Sequence, residues 1–409
     1  MELTSNVKNI VKKDLNLSNE YIEVKIYSDS DIASKAVSDH IIEKINQKAK
    51  RGEAFVLGLA TGSSPIKVYR NLIHAYKNGL VSFKNVYTFN LDEYFPMDSS
   101  SIHSYVQFMH QNLFNEIDIP KEQIHIPDGT LPLEKIEDYC TEYEEKINVL
   151  GGIDLQLLGI GRTGHIGFNE PNSSFESETR LVWLDPLTRK DASSSFFGEK
   201  NVPTQAITMG MKTIMKSKEI LLLAWGESKV SILQKTIEGN VTKEIPATLL
   251  QKHNNCKFVL DKAAASELVR EKTPWLVGAC VWDSKLIRKA VIWLSHKTNK
   301  SILKLTKSDF MQNHLTELFY EHHFDLNRAI KQVYESLYGA FELWRSNTSN
   351  GKGTRAVVFS PHPDDDVISM GGTLIQLVDN GFDVHVAYQT SGNIAVHDDD
   401  VLRFLQFCI

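Results

Sequence analysis

Three glycines frame a histidine within residues 158–171, and a glutamate follows that histidine five residues later. The glycines are Gly159, Gly161 and Gly164, and the two polar residues are His165 and Glu170. Glycine lets the backbone turn tightly at the end of a strand, which would bring His165 to the edge of a sheet. A histidine that titrates near pH 7 beside a carboxylate suits general acid–base catalysis. A lone histidine is more often structural, but this glycine-framed pair indicates catalysis.

Two adjacent carboxylates, Asp92 and Glu93, follow a run of β-branched and aromatic residues at positions 86–89. Such a run is typical of a strand, and open α/β sheets bind ligands at the carboxyl ends of their strands. Desolvation at that edge would suit one of the two carboxylates to act as a general base. The alternative, of comparable weight, is that Asp92 caps the N-terminus of a helix.

A small polar loop, Thr61-Gly62-Ser63-Ser64, follows the apolar run at positions 54–59 and precedes Pro65. Proline suits the first turn of a helix, and backbone N–H groups at a helix N-terminus favour an anion such as a phosphate. The alternative is an ordinary strand-to-helix turn capped by a serine. A Walker A loop is excluded, because no Gly-Lys-Ser/Thr follows.

The elements that must position these residues alternate between strand and helix signals from about residue 21 to residue 279. After the polar loop, for example, Ile66, Tyr69 and Ile73 recur at helical spacing. The short apolar runs lie at residues 54–59, 86–89, 153–160, 220–225 and 258–260. Continuous apolar strands separated by helices predict an α/β fold, with a mostly parallel sheet and helices on both faces.

The composition excludes several classes of protein. The 409 residues are 42% hydrophobic and 23% charged with a net charge of −6, which argues against disordered, collagen-like, coiled-coil and general nucleic-acid-binding proteins. The four cysteines form no Cys-x-x-Cys pair, which favours a reducing cytoplasm over a disulfide-stapled secreted scaffold. No signal peptide and no run near the ~20 residues of a membrane span is found. We therefore expect a cytoplasmic protein that binds neither nucleic acid nor a membrane.

The character of the sequence changes near residue 284. Residues 284–353 are first basic and then helical, and they end in a Ser-, Asn- and Gly-rich stretch at 346–353, which predicts a helical connector and a linker. A new apolar strand begins at Arg355, so residues 354–409 predict an incomplete second α/β domain. His362 and Asp365, three residues apart at a strand end, could bind zinc, with Asp364 as the general base. The alternative is a plain polar loop.

Four strings of residues together resemble the glucosamine-6-phosphate deaminase family, which lies within the larger group that includes the 6-phosphogluconolactonases. The strings lie at residues 55–65, 88–94, 104–110 and 164–171, and the resemblance covers roughly residues 21–281. Asn-Leu-Asp-Glu-Tyr and Gly-His-Ile-Gly-Phe-Asn-Glu-Pro are the most specific of them. The resemblance implies a Rossmann-like domain at residues 1–283 that converts glucosamine 6-phosphate to fructose 6-phosphate and ammonia.

The resemblance also implies roles for individual residues. Asp92 would move the proton from C2 to C1 of the sugar. His165 would open the sugar ring by exchanging a proton with the ring oxygen, and Glu170 would assist it. The supporting residues would be Glu93, Thr163 and Arg180.

The family holds its substrate by the phosphate group. By resemblance, Thr61, Gly62, Ser63 and Ser64 would bind the phosphate, with Lys229 as a cation. Without the resemblance, Lys229 would be interpreted as a surface lysine of a helix. The chemistry implies no metal or organic cofactor, because the substrate's own amino and carbonyl groups stabilise the enediol-like intermediate. The expected partner is a small-molecule sugar phosphate, and bacterial relatives imply a homo-oligomer.

One departure from the family pattern concerns the histidine. Many members have an aspartate two residues before it, where this chain has Thr163 beside Arg162. A hydroxyl contributes no charge, and a neighbouring guanidinium would depress the pKa of the histidine. Either Glu170 takes over the support of the imidazole, or ring opening is slower. A non-catalytic sugar-phosphate sensor therefore stays open as an alternative function.

A second departure concerns the phosphate. The family's phosphate-binding arginine, which precedes two phenylalanines, is Ser195 here, and Arg189 or Lys190 would have to replace it. The region that carries an allosteric site in some bacterial members keeps Arg180 but continues differently, which argues against allosteric activation.

The C-terminal segment resembles the LmbE-like N-acetylglucosaminyl deacetylases, on residues 357–366 followed by Gly371-Gly372. By that resemblance His362 and Asp365 are zinc ligands and Asp364 is the base. The family takes a further metal histidine from a downstream His-x-x-His region, and this sequence ends at Ile409 before reaching one. We therefore expect a truncated fusion of two enzymes, with zinc-dependent deacetylation of N-acetylated amino sugars as another alternative function.

Overall fold

The computed structural model describes residues 19–320, 325–346, 355–362 and 364–389. The chain divides into two compact units, one ending at Cys280 and the other beginning at Val281. Of the predicted linker at residues 346–353, the described part is Ser346, which ends a helix, and the rest lies outside the described residues.

The first unit is built on a seven-stranded sheet in which every pair of neighbouring strands is parallel. Its strands, in spatial order, are β1 (Glu23–Tyr27), β10 (Cys256–Asp261), β9 (Ile220–Ala224), β6 (Leu155–Leu158), β2 (Phe55–Leu59), β3 (Val86–Asn90) and β5 (Ile124–His125). The strands β2 and β9 are buried along their whole length, as continuous apolar runs predict. The predicted mostly parallel α/β fold is confirmed.

Helices cover both faces of this sheet and bury two separate apolar clusters. Phe89 and Leu222 belong to one cluster, whereas Leu57 and Leu72 belong to the other. The helices of the first unit are α1 (Ser30–Lys50), α2 (Ile66–Lys77), α3 (Tyr105–Asn112), α4 (Ile136–Val149), α5 (Pro186–Ala192), α6 (Met211–Met215), α7 (Val230–Glu238) and α8 (Val269–Lys272). Burial on both faces explains why the inner strands β2 and β9 show no polar alternation.

A smaller antiparallel sheet adjoins the central one. It consists of β4 (Asp92–Phe95), β8 (Gln205–Thr208) and β7 (Arg180–Trp183), in that spatial order. Leu91 connects the two sheets, because its N–H donates to Leu59 while its carbonyl accepts from Met209. Asp92 thus begins a strand paired with Thr208, and the alternative that it caps a helix is wrong.

Short 3₁₀ segments fill several connections in both units. They lie at Phe114–Glu116, Lys121–Gln123, Leu133–Lys135, Glu199–Asn201, Glu227–Lys229, Pro246–Lys252, Pro274–Leu276 and Ile302–Lys304.

The described part of the second unit consists of helices followed by a strand–helix–strand motif. Its helices are α9 (Ser284–Thr298), α10 (Lys307–Gln312), α11 (Glu317–Tyr320), α12 (Leu326–Ser346) and α13 (Asp365–Asp379). The strands β11 (Arg355–Ser360) and β12 (Asp383–Tyr388) pair in parallel on either side of α13 in the sequence. Within the described residues of both units, no helix combines the length and apolar composition needed to cross a membrane.

Candidate active site

A cleft of about 230 Å³ lies at the carboxyl ends of the neighbouring strands β9, β6, β2 and β3. Loops after each of these four strands line it, because the carboxyl ends of parallel strands meet at one edge of the sheet. The predicted site residues among its lining are Thr61, Gly62, Ser63, Ser64, Asp92, His165 and Lys229.

Asp92 is the buried acid of this cleft. The residue is 6% exposed. Burial, together with the nearby charge of Glu93, raises the pKa of Asp92 to about 8. A carboxylate with a pKa close to neutral pH is suited to take up and release a proton.

Glu93 is not among the residues that line the cleft, and its carboxylate accepts hydrogen bonds at the N-terminus of a helix. One of its oxygens, Oε2, accepts the N–H groups of Tyr105 (2.7 Å) and Val106 (3.2 Å) at the start of α3, while Oε1 accepts that of Tyr94. Burial raises the pKa of Glu93 to about 7, against the lowering effect of these three hydrogen bonds. The carboxylate that caps a helix is therefore Glu93, twelve residues before that helix.

His165 lines the same cleft, and the Nδ1 atom of its ring faces a carboxylate and two hydroxyl groups. Nδ1 lies 3.0 Å from Oε2 of Glu170, 2.9 Å from the Thr163 hydroxyl and 3.4 Å from that of Thr188. A carboxylate neighbour assigns the proton to Nδ1, which leaves Nε2 as the acceptor on the other side of the ring. The ring lies against the backbone of Gly161, and this close approach requires glycine there.

Glu170 supplies the charge that Thr163 lacks. Burial alone would raise the pKa of Glu170, but the hydrogen bond and the charge of His165 outweigh it, and the pKa lies below its usual value. Glu170 is thus an anion at neutral pH and holds the imidazole. Arg162, the expected source of repulsion, forms an ion pair with Asp191.

The loop after β2, residues 61–64, lines the cleft. Gly62 has a φ of +90°, a conformation that favours glycine. Pro65, at the N-cap of α2, forms no side-chain capping bond, so the alternative of a serine-capped turn is wrong. Within the described residues, the N–H groups of Gly62, Ser63 and Ser64 donate to no protein acceptor. An anion would satisfy them.

Lys229 reaches the cleft from the 3₁₀ turn after β9. It is half-buried, and its Nζ donates to the carbonyl of Ile160 over 2.8 Å. Burial lowers the pKa of Lys229. The interpretation as a surface lysine is therefore wrong. Neither Arg189 nor Lys190 is among the residues that line the cleft, and the Arg189 guanidinium donates to the carbonyl of Glu199.

Arg180 lies outside the cleft, at the start of β7. Its Nη1 donates to Oδ1 of Asn169 over 3.0 Å. The Asn169 amide in turn donates to the carbonyls of Ile166 and Met209. Arg180 therefore stabilises the loop between His165 and Glu170 through Asn169, without lining the cleft itself.

Tyr105, Phe168 and Thr188 are site residues to which the sequence analysis assigned no role. Tyr105 and Phe168 line the cleft, and their rings stack on each other with centroids 6.2 Å apart. The string at 104–110 was a signal for Tyr105. A single threonine on α5, which is Thr188, carries no such signal.

The predicted zinc residues lie in the second unit. Nδ1 of His362 is 2.9 Å from Oδ2 of Asp365, so the two side chains bind each other. Among the described residues, no group of three or more His, Cys, Asp or Glu side chains could hold a metal ion. A zinc site needs at least three protein ligands, so the described residues do not fit zinc.

Comparison with known proteins places the first unit in a family. The model of the glucosamine-6-phosphate isomerases and 6-phosphogluconolactonases matches residues 28–259, and the chain belongs to this family. A model of GlcNAc-PI de-N-acetylases matches residues 357–402. Both predicted resemblances are thereby confirmed, the second over a short stretch.

Individual relatives agree with the family models. A glucosamine-6-phosphate deaminase-like protein of Bacteroides thetaiotaomicron is 42% identical over 98% of this chain, and the chain spans 62% of that relative's length. The glucosamine-6-phosphate deaminase of Oceanobacillus iheyensis is 49% identical over 58% of this chain and 92% of its own. A solved monomeric glucosamine-6-phosphate deaminase is 39% identical, with a TM-score of 0.57 over 60% of this chain and 99% of its own.

Proposed function

We propose that this protein converts glucosamine 6-phosphate and water to fructose 6-phosphate and ammonia. The observation that carries the proposal is that a buried acid, Asp92, and a carboxylate-supported imidazole, His165, line one cleft together with the loop of Gly62, Ser63 and Ser64. Among the described residues, the N–H groups of this loop have no protein acceptor, so a phosphate can bind them. The names of the relatives that match the first unit support the same reaction.

The phosphate group anchors the substrate. It would accept the N–H groups of Gly62, Ser63 and Ser64 and lie against the ammonium group of Lys229. A substrate fixed at this end has its sugar ring directed along the cleft. Proximity of this kind replaces an encounter in solution by a held geometry.

The first chemical step is opening of the sugar ring. Nε2 of His165 takes the proton of the C1 hydroxyl and delivers a proton to the ring oxygen, while Nδ1 stays hydrogen-bonded to the Thr163 hydroxyl and paired with the Glu170 carboxylate 3.0 Å away. The anionic Glu170 stabilises the imidazolium that forms between these two transfers, because an opposite charge at 3.0 Å favours the charged form.

The second step is proton transfer between carbons. The Asp92 carboxylate takes the C2 proton of the open-chain aldehyde while O1 gains a proton, which gives an enolamine. It then returns the proton to C1 while the amino group gives up one N–H proton. Water then adds to the resulting C2 imine, and ammonia leaves with the electron pair of the C–N bond. A base with a raised pKa both removes and returns a proton readily near neutral pH.

The proposed chemistry uses no metal or organic cofactor. The substrate's own amino and carbonyl groups delocalise the charge that develops at C2. We also propose a place in amino-sugar catabolism, downstream of N-acetylglucosamine, in a cytoplasmic homo-oligomer.

An ammonia-release assay on the full chain tests the proposal. Glucosamine 6-phosphate should give equal amounts of ammonia and fructose 6-phosphate, and its N-acetylated form should give neither. Asp92→Asn should abolish turnover, whereas Asp138→Asn, an exposed change of the same kind on α4, should not. Wild-type protein that binds glucosamine 6-phosphate without releasing ammonia would instead support the sensor.

A further inference from the structure

The proposed phosphate site has less positive charge than its ligand requires. A sugar phosphate carries close to two negative charges at neutral pH, whereas Lys229 is the one lysine or arginine among the described residues that line the cleft. Its ammonium group is also shared with the carbonyl of Ile160. A second cation within reach of the cleft would complete the binding of the phosphate.

Arg162 is the arginine placed closest along the chain to the cleft. It follows Gly161, which lines the cleft. Its guanidinium binds Asp191 on α5 through two hydrogen bonds, one from Nε to Oδ2 at 2.8 Å and one from Nη2 to Oδ1. The charges of both Asp191 and Arg162 act on the ammonium group of Lys229, so the ion pair lies in the electrostatic field of the phosphate site.

The Arg162–Asp191 pair can be exchanged at low cost. The two side chains are 50% and 40% exposed, and ion pairs this exposed contribute little to stability. A guanidinium binds a phosphate with the same two-bond geometry as a carboxylate, and the phosphate carries the larger charge.

We propose that Arg162 is a substrate-binding residue that leaves Asp191 to bind the phosphate group of the sugar, and that Asp191 competes with the substrate for it. This inference rests on the proposed function, because it takes the sugar phosphate as the ligand. It assigns to Arg162 the second cation that Arg189 and Lys190 do not provide within the lining.

The competing explanation is that the pair is a static clamp between the loop and α5. The two explanations predict different directions for the change in substrate affinity when Asp191 is removed. Loss of either partner opens a clamp, so both variants would weaken binding. If Asp191 competes for Arg162, removal of Arg162 weakens binding and removal of Asp191 strengthens it.

Isothermal titration calorimetry on the full chain separates the two. With glucosamine 6-phosphate, and separately with inorganic phosphate, Arg162→Gln should raise Kd about tenfold, the size expected for a lost charge-assisted pair. Asp191→Asn should lower Kd about threefold, the size of a weak competing ion pair. Lys77→Gln and Glu116→Gln, which break a matched exposed ion pair distant in sequence, should change neither value. Glucosamine without phosphate should not discriminate between the variants.

The outcomes are distinguishable from those of the proposed function. A higher Kd in Arg162→Gln together with a lower Kd in Asp191→Asn supports the inference, even if wild-type protein releases no ammonia. Changes of Kd in the same direction in both variants, or no change in either, overturn the inference even if wild-type protein is an active deaminase. Absence of any phosphate binding by the wild type overturns both.

Discussion

The imidazole of His165 rests on the bare backbone of Gly161: a methyl group at residue 161 would fall 2.1 Å from Nε2. Because Nδ1 on the other side of the ring contacts Thr163 and Glu170, a side chain at residue 161 would push the ring out of this position. The glycine-framed pattern therefore serves the placement of one side chain.

Gly161→Ala should lower kcat for ammonia release by about 100-fold, as expected for a catalytic group displaced by roughly 1 Å. The control is Gly278→Ala, where an added methyl group meets nothing within 4 Å. An alanine variant with wild-type kcat would show that the ring position seen here is not needed.

The pH profile should report the state of Asp92. With a pKa of about 8 in the free protein, the base is mostly protonated at pH 6. We expect kcat/KM to rise about tenfold per pH unit below pH 8 and to level off above it. A profile that is flat from pH 6 to pH 8.5 would contradict this assignment.

Asp92 should also reduce the stability of the folded chain at alkaline pH. Its pKa is 3.8 in the unfolded chain and about 8 in the fold, so the fold binds the proton more tightly. The cost begins above pH 3.8 and is complete above pH 8. Asp92→Asn should therefore raise Tm relative to wild type more at pH 8 than at pH 5, as measured by thermal unfolding. An equal difference at the two pH values would contradict the prediction.

Glu170 should matter more to His165 than Thr163 does, since it carries the charge. Glu170→Gln should lower kcat by about 100-fold, within the range of general acid–base catalysis. Thr163→Val, which removes one neutral acceptor, should lower it by about threefold. A larger decrease of kcat in Thr163→Val than in Glu170→Gln would show that Thr163, and not Glu170, is the main support of His165.

Glu93 should act through α3 and not through the chemistry. Glutamine offers one acceptor oxygen to the three N–H groups that Glu93 binds, so Glu93→Gln should cost about 1–3 kcal/mol of stability. It should raise KM more than it lowers kcat, because Tyr105 begins α3 and lines the cleft. Glu137→Gln, an exposed change on α4, is the control.

The sequence was most informative where polar residues directly follow an apolar strand. The strings around Asp92, His165 and the polar loop each follow an apolar strand, and parallel strands bring their carboxyl ends to one edge. Local pattern therefore predicted both the sheet and the convergence of these residues. It left a helix cap for Asp92 and a surface position for Lys229 open as alternatives, and the structure excludes both. Position in the sequence alone does not show what a side chain meets in the fold.

By itself, then, the sequence determined the parallel α/β architecture, the family and seven of the residues that line the cleft, but assigned no role to Tyr105 or Phe168, which also line it. Only the tertiary structure decided which partners those residues have. Glu93 binds a helix twelve residues on, Thr188 comes from α5 to His165, and Arg162 binds Asp191. These contacts join residues 12 to 29 positions apart in different elements, so they depend on how the elements are arranged in space.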